Sequence, residues 1–146
     1  MSSVLIFAAG WLYANFIEYA WHRWVLHSGH HQVHDAHHRA FFTGEYEARN
    51  LLNRWAILAA ALHVFAACFI SLKLGLVAAV SLFSYLAVLE ALHAWQHGHK
   101  GSSWARWHIQ HHRHPLAHFN IFLPVWDCLL GPRVERQRRQ GAVVAP

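Results

Sequence analysis

Ten histidines fall into four short groups: His22 and His27 in HRWVLH; His34, His37 and His38 in HDAHH; His93 and His97 in HAWQH; His108, His111 and His112 in HIQHH. Clustered imidazoles are nitrogen donors suited to zinc, copper, iron and nickel. Helical residues three and four apart share a face, so each HxxHH unit offers rings from adjacent turns, as do His93 and His97. Each group is therefore expected to supply two or three ligands to one site. The five-residue step from His22 to His27 is not a one-face spacing. Either one of the two serves a different metal, or it sits where the helix ends.

The pattern occurs twice, with a carboxylate ahead of each half: Glu18 four residues before His22, and Glu90 three before His93. Each is expected to accept the proton of the ring nitrogen turned away from the metal, or, as a sharper alternative, to bridge the metals. Carboxylates near membrane depth are costly without such a partner, so both read as functional. Two similar halves suggest a binuclear centre. Ten imidazoles give about five to each of two ions, which suits octahedral or near-octahedral iron with room for oxygen. Structural zinc closes at about four ligands. The run HSGHHQVHDAHH alone would fit a metal sponge, but the second cluster repeats its spacing beyond an apolar hairpin. His63, alone in an apolar segment, reads as packed or hydrogen-bonded. His30, His31, His99, His114 and His118 read as loop residues or partners of ligands.

The elements that hold these groups are apolar. Of 146 residues, 55% are hydrophobic and 13% charged, too greasy for an ordinary soluble domain. A spanning helix needs about 20 apolar residues, and three stretches approach this: Val4 to about Leu26, Trp55 to Leu72, and Leu74 continued through Glu90 to Trp95. No basic residue precedes the first and no small-x-small cleavage site follows it, so it reads as a retained helix. Lys73 and Gly75 mark a tight turn between two antiparallel helices. The expected fold is all-α: a membrane helical bundle with about three transmembrane helices and a cytoplasmic helical cap carrying the metal site. Residues 1–132 form one domain, and 133–146 a basic, disordered tail.

Lys73 stands on the hairpin side, whereas Arg23, Arg39, Arg49, Arg54, Lys100, Arg106, Arg113, Arg133, Arg136, Arg138 and Arg139 stand on the histidine side. The positive-inside rule then makes the histidines and the C-terminus cytoplasmic, in a bacterial inner membrane. Trp11, Tyr13, Trp21, Trp24, Trp55, Trp95, Trp104 and Trp107 read as an interfacial belt. Phe119 to Leu130, broken by Pro124 and Asp127, reads as a segment lying on or dipping into the membrane surface. Cys68 and Cys128 make neither a zinc motif nor a disulfide framework. The net charge of +5 lacks the interleaved aromatics of a nucleic-acid surface, so nucleic acid is not an expected partner.

From about Glu18 to Pro132 the chain resembles the fatty acid hydroxylase superfamily of membrane non-haem di-iron enzymes, which includes sterol desaturases, fatty acid hydroxylases and carotenoid hydroxylases. HRWVLH, HDAHH, HAWQH and HIQHH match its HxxxxH, HxxHH, HxxxH and HxxHH boxes in order. The resemblance implies that the ten histidines bind two iron ions, with O2 as co-substrate. The implied reaction is hydroxylation or desaturation of a lipid, whether fatty acyl, sterol-like or carotenoid. The step from His27 to His34 and the short chain look like carotenoid hydroxylases. FNIFLPVWDCLLGP looks like the asparagine and P-x-W-D-x-L-x-G stretch of fatty acid hydroxylases and sterol desaturases, the favoured branch. The chain departs from larger members in having three spans where four are commoner, and no fused electron-transfer domain.

No nicotinamide or flavin fingerprint is present, so electrons are expected from a separate redox protein, docked on basic loops that include Arg106, Arg113 and the Arg133 to Arg139 run. The same charges are explained equally well as topology signals or as contacts to anionic lipid headgroups. Zinc can replace iron on purification. The rival classes are a histidine-rich membrane metal transporter or metal-binding protein, and a zinc-dependent membrane hydrolase. No polar path of acids and histidines crosses the apolar segments, which counts against transport.

Overall fold

A computed structural model describes residues 2–28, 32–43 and 54–130. Among these the chain is helical, with no strand: α1 (Ser3–Trp21), a π turn (His22–Leu26), α2 (Gln32–Thr43), α3 (Arg54–Ile70), α4 (Leu72–Gly98), α5 (Arg106–Arg113) and α6 (Val125–Leu130). The expected tail from 133 lies outside the described residues.

Ser2 caps α1 through a bond from the Leu5 amide at 3.3 Å, and Ser71 caps α4 through the Leu74 amide at 3.1 Å. A side-chain oxygen at the cap satisfies an amide that the helix leaves open. The hairpin therefore turns at Ser71, and Lys73 and Gly75 lie inside the first turn of α4. A Cβ on Gly75 would collide with the Cys68 sulfur, so glycine is what lets α3 and α4 close against each other beside the turn.

Two helices, Ser3–Leu26 with 24 residues and Leu72–Gly98 with 27, are long and apolar enough to cross a bilayer. Among the described residues, the expectation of three is corrected to two. α3 has 17 residues because the Ser71 cap assigns Leu72 to α4, which leaves it roughly 25 Å long against a hydrocarbon core of about 30 Å. Only 11% and 28% of the two long apolar windows is buried, so neither is the core helix of a globular fold. Phe65, Phe69, Ile70, Leu72 and Val80 stand outward at 62–78% exposure, a band that water disfavours.

α1 runs parallel to α4, with matched contacts along both. A Cβ on Gly10 would strike the Ser81 hydroxyl; Trp11 Nε1 donates to Ser84 Oγ at 3.0 Å; Asn15 Nδ2 donates to Tyr85 Oη at 2.8 Å. This register brings the His22 end of α1 and the His93–His97 end of α4 out side by side. α2 and α5 close over them around buried Phe41, Ala105 and Ile109. Trp21, Trp24, Trp55, Trp95 and Trp104 are exposed at this end. Trp11 and Trp107 instead donate hydrogen bonds inside the protein, to Ser84 and Asp127, and so leave the expected belt. Phe119 to Leu130 is an irregular stretch followed by α6, which packs against α1.

Candidate metal centre

The ten histidines converge in two groups of five. His22, His27, His34, His38 and His111 form one, and His37, His93, His97, His108 and His112 the other; within each, the donor nitrogens all lie within 4.8 Å of one another. Each HxxHH unit is divided between the groups, contrary to the expectation of one site per unit. His34 and His38, four apart on α2, serve the first group, and His37 between them serves the second. His108 and His112 on α5 serve the second, and His111 the first. An i,i+4 pair points one way, and the residue before its second member is rotated about 100° round the helix toward the other group. The two halves of the chain thus exchange one histidine each.

The π turn accounts for the five-residue step. The His27 amide bonds to the His22 carbonyl at 3.3 Å, an i to i+5 closure. The wider turn brings residues five apart back to one side, so both rings join the same group. Their centroids lie 5.2 Å apart, with the planes 27° from parallel.

In the first group four Nε2 atoms form a closed ring: His27 to His34 at 3.0 Å, His34 to His38 at 3.1 Å, His38 to His111 at 3.1 Å, and His111 to His27 at 3.1 Å. His111 Nδ1 donates to the Ala117 carbonyl at 2.8 Å, and His22 Nδ1 to the Phe119 carbonyl at 2.6 Å. A carbonyl only accepts, so the protons of His111 and His22 sit on Nδ1, and their Nε2 atoms are bare lone pairs. A neutral imidazole Nε2 either donates or accepts. With His111 fixed as an acceptor, at most two of the four ring edges can carry a proton. His22 Nε2 is buried with no hydrogen-bond partner among the described residues. Lone pairs crowded in this way are stabilised by a cation at their centre.

The spacing also discriminates between coordination types. With metal–nitrogen bonds of about 2.1 Å, neighbouring donors stand roughly 3.4 Å apart in a tetrahedron and roughly 3.0 Å apart in an octahedron. The ring edges match the octahedron, and five donors exceed the four of structural zinc. The second group has similar edges: His93 to His97 at 3.2 Å, His97 to His108 at 3.0 Å, and His108 to His112 at 3.0 Å. The groups adjoin, with the His38 and His112 rings 4.5 Å apart. The donor set is therefore able to hold two metal ions, one in each group.

Outside the long apolar helices, His34, His37, His38, His108, His111 and His112 are held neutral. Burial brings His37 down to about 4 and His38 to about 3, with neighbouring imidazoles adding to the shift of His38. Burial first, then surrounding imidazoles, also lowers His34, His108, His111 and His112 far below the ordinary value. Neutral rings are the form that binds metal.

Glu18 does not meet a histidine through its described hydrogen bonds. It accepts from the Tyr85 hydroxyl, from the Ile121 amide, and from Asn15 Nδ2 at 3.2 Å. Glu90 lies on α4 one turn before His93, half-buried. His63 is hydrogen-bonded, as expected: Nδ1 donates to the Ala59 carbonyl at 2.6 Å, and Nε2 accepts from Tyr13 Oη at 2.7 Å.

Asp127, which breaks the apolar run and is the carboxylate of the P-x-W-D-x-L-x-G stretch, holds the backbone beside the histidines. Its Oδ1 accepts from the Phe119 amide at 2.8 Å, and its Oδ2 from the Asn120 amide at 2.7 Å and Trp107 Nε1 at 3.2 Å. Asn120 Nδ2 returns to the Asn15 carbonyl at 3.0 Å. A carboxylate kept in an otherwise apolar hexad was the available signal. No protein-family model, curated protein or solved structure matches the chain. Among the described residues the structure is all-helical, with two adjoining histidine clusters capable of coordinating metal ions.

Proposed function

We propose that this chain is a membrane-embedded di-iron oxygenase that hydroxylates or desaturates an unactivated C–H bond of a lipid. The observation that carries the reading is the pair of five-imidazole groups at one end of two apolar helices. His22, His27, His34, His38 and His111 would hold one iron, and His37, His93, His97, His108 and His112 the other. Bound there, an iron pair supplies the redox chemistry by which a C–H bond, O2, two electrons and two protons become an alcohol and water.

The chain's own part is binding, orientation and exclusion of water. Carbonyls of Ala117 and Phe119 fix the ring tautomers of His111 and His22. Phe41 stacks on His112 at 4.2 Å with planes 11° apart, closing the second group from above. An open apolar groove of about 330 Å³, lined by Phe7, Trp11, Leu12, Leu123 and Val125, supports a hydrocarbon substrate that arrives from the bilayer. The histidine end is cytoplasmic in this reading, where its arginines meet a separate electron donor.

The test compares lipids, by untargeted mass spectrometry, from cells making the intact chain and cells making a His111→Ala, His112→Ala double variant. A lipid that gains one oxygen or loses two hydrogens only with the intact chain is the expected result. Identical lipids from folded, iron-loaded protein with a competent reductant would overturn it, and metal-uptake assays would then test transport.

A further inference from the structure

We infer that Asp127 is a positioning residue that acts on the first histidine group and not on the second. The inference rests on the proposed binding of two metals. His22 and His111, which belong to the same group, both have Nδ1 protons held by backbone carbonyls, those of Phe119 and Ala117. Both carbonyls lie on the stretch from Ala117 to Ile121, which has no regular structure to fix it.

Side chains fix it instead. Asp127 takes the amides of Phe119 and Asn120 on separate oxygens, and Glu18 takes the amide of Ile121. Phe119 is 3% exposed, and Asn120 is fully buried. Its peptide planes therefore face acceptors on one side and imidazoles on the other. The route runs from the Asp127 carboxylate to the Phe119 amide, through the Phe119 carbonyl, to His22 Nδ1 and so to His22 Nε2. His118 holds a left-handed backbone at φ 63°, uncommon for a residue with a side chain although histidine is among those that adopt it more readily. It aims the Ala117 carbonyl at His111 on one side while Phe119 turns to His22 on the other.

None of the described hydrogen bonds of Asp127, nor of the Phe119 and Ala117 carbonyls, reaches the second group. The Nδ1 atoms of His108 and His112 are buried with no hydrogen-bond partner among the described residues. His97 and His112 pack on Phe41. Partners behind a metal-bound histidine typically change metal affinity roughly 10–100-fold, so losing them from one group separates the two affinities.

The experiment uses the full chain in lipid nanodiscs, loaded anaerobically with Fe2+, with a chromophoric chelator competing for the metal. His111→Ala and His93→Ala assign the two release phases to the first and second groups. Asp127→Ala is expected to weaken the first phase roughly 10–100-fold and leave the second in place, with the Mössbauer signature of one iron altered and that of the other kept. Asp127→Asn preserves shape but turns an N–H toward a backbone N–H; it is expected to move the same phase, and it keeps the question open to test if the alanine variant does not fold. Equal weakening of both phases, or an unchanged first phase, overturns the inference. Should the unaltered chain bind fewer than two irons, the di-iron reading itself fails, a result visible before any Asp127 variant is compared.

Discussion

His37 and His38 are neighbours in the chain, with rings 6.0 Å apart and planes at 87°, and they belong to different histidine groups. Adjacent helical residues point about 100° apart, so one helix can serve two ions only if they flank it. α2 and α5 both do this, and the two groups are interlocked through them.

Replacing these neighbours singly should therefore affect different ions. His38→Ala is expected to lower affinity at the first group, and His37→Ala at the second, each by at least the roughly 10–100-fold typical of lost support behind a ligand. Chelator competition on Fe2+-loaded protein checks it. Loss from one and the same phase in both variants would contradict the partition.

The metal-free protein should lose stability as pH falls. His37 at about 4 and His38 at about 3 lie below the unfolded value of 6.5, so the unfolded chain binds more protons in between. Their contribution is complete above 6.5 and is lost progressively as pH falls through the folded values. His34, His108, His111 and His112 shift in the same direction. Thermal unfolding in nanodiscs should show a lower midpoint at pH 5 than at pH 7.5, and little change between pH 7 and 8.

A side chain on Gly10 meets the Ser81 hydroxyl on α4. Gly10→Val is expected to destabilise the fold by about 1–3 kcal/mol through overpacking. Because the obstacle is a hydroxyl, Ser81→Ala should recover part of that loss in the double variant. A double-mutant cycle of denaturation midpoints measures the coupling.

Tyr85 is 1% exposed, and its hydroxyl donates to Glu18 while accepting from Asn15. Tyr85→Phe leaves both partners buried and short of a bond, which destabilises by roughly 1–3 kcal/mol. Loss of thermal stability without a change in iron stoichiometry is the expected pattern, since Tyr85 touches neither histidine group.

The four boxes were legible because imidazole spacing is a local property, and His22 through His112 could be collected without knowing the fold. Their division into two groups was not legible. Spacing shows which rings share a helix face but not what stands opposite it, and that depends on α2 and α5 packing between two sites. The hydrogen-bond partners of Glu18 were not legible for a similar reason. Its offset from His22 places both on one face of an α-helix, but Tyr85 and Ile121, far away in sequence, take its oxygens. The long apolar helices were found with near-correct bounds. The third fell short because one serine cap at residue 71 decides where α3 ends, and capping competes residue by residue with hydropathy.

The π turn from His22 to Leu26 has a further consequence. The corresponding pair in the second half, His93 and His97, is spaced by four and sits in unbroken α-helix. The first half therefore carries one surplus residue, housed as a bulge in a helix that would otherwise match its counterpart. Deleting one residue between Arg23 and Leu26 would restore the regular ladder and turn HxxxxH into HxxxH. It would also wind everything after it about 100° round the axis of α1 and draw it in by about 1.5 Å. The bulge is thus a ratchet tooth set one notch forward: local helical order is given up so that His27 and the chain leading to α2 leave at the angle that closes the first group.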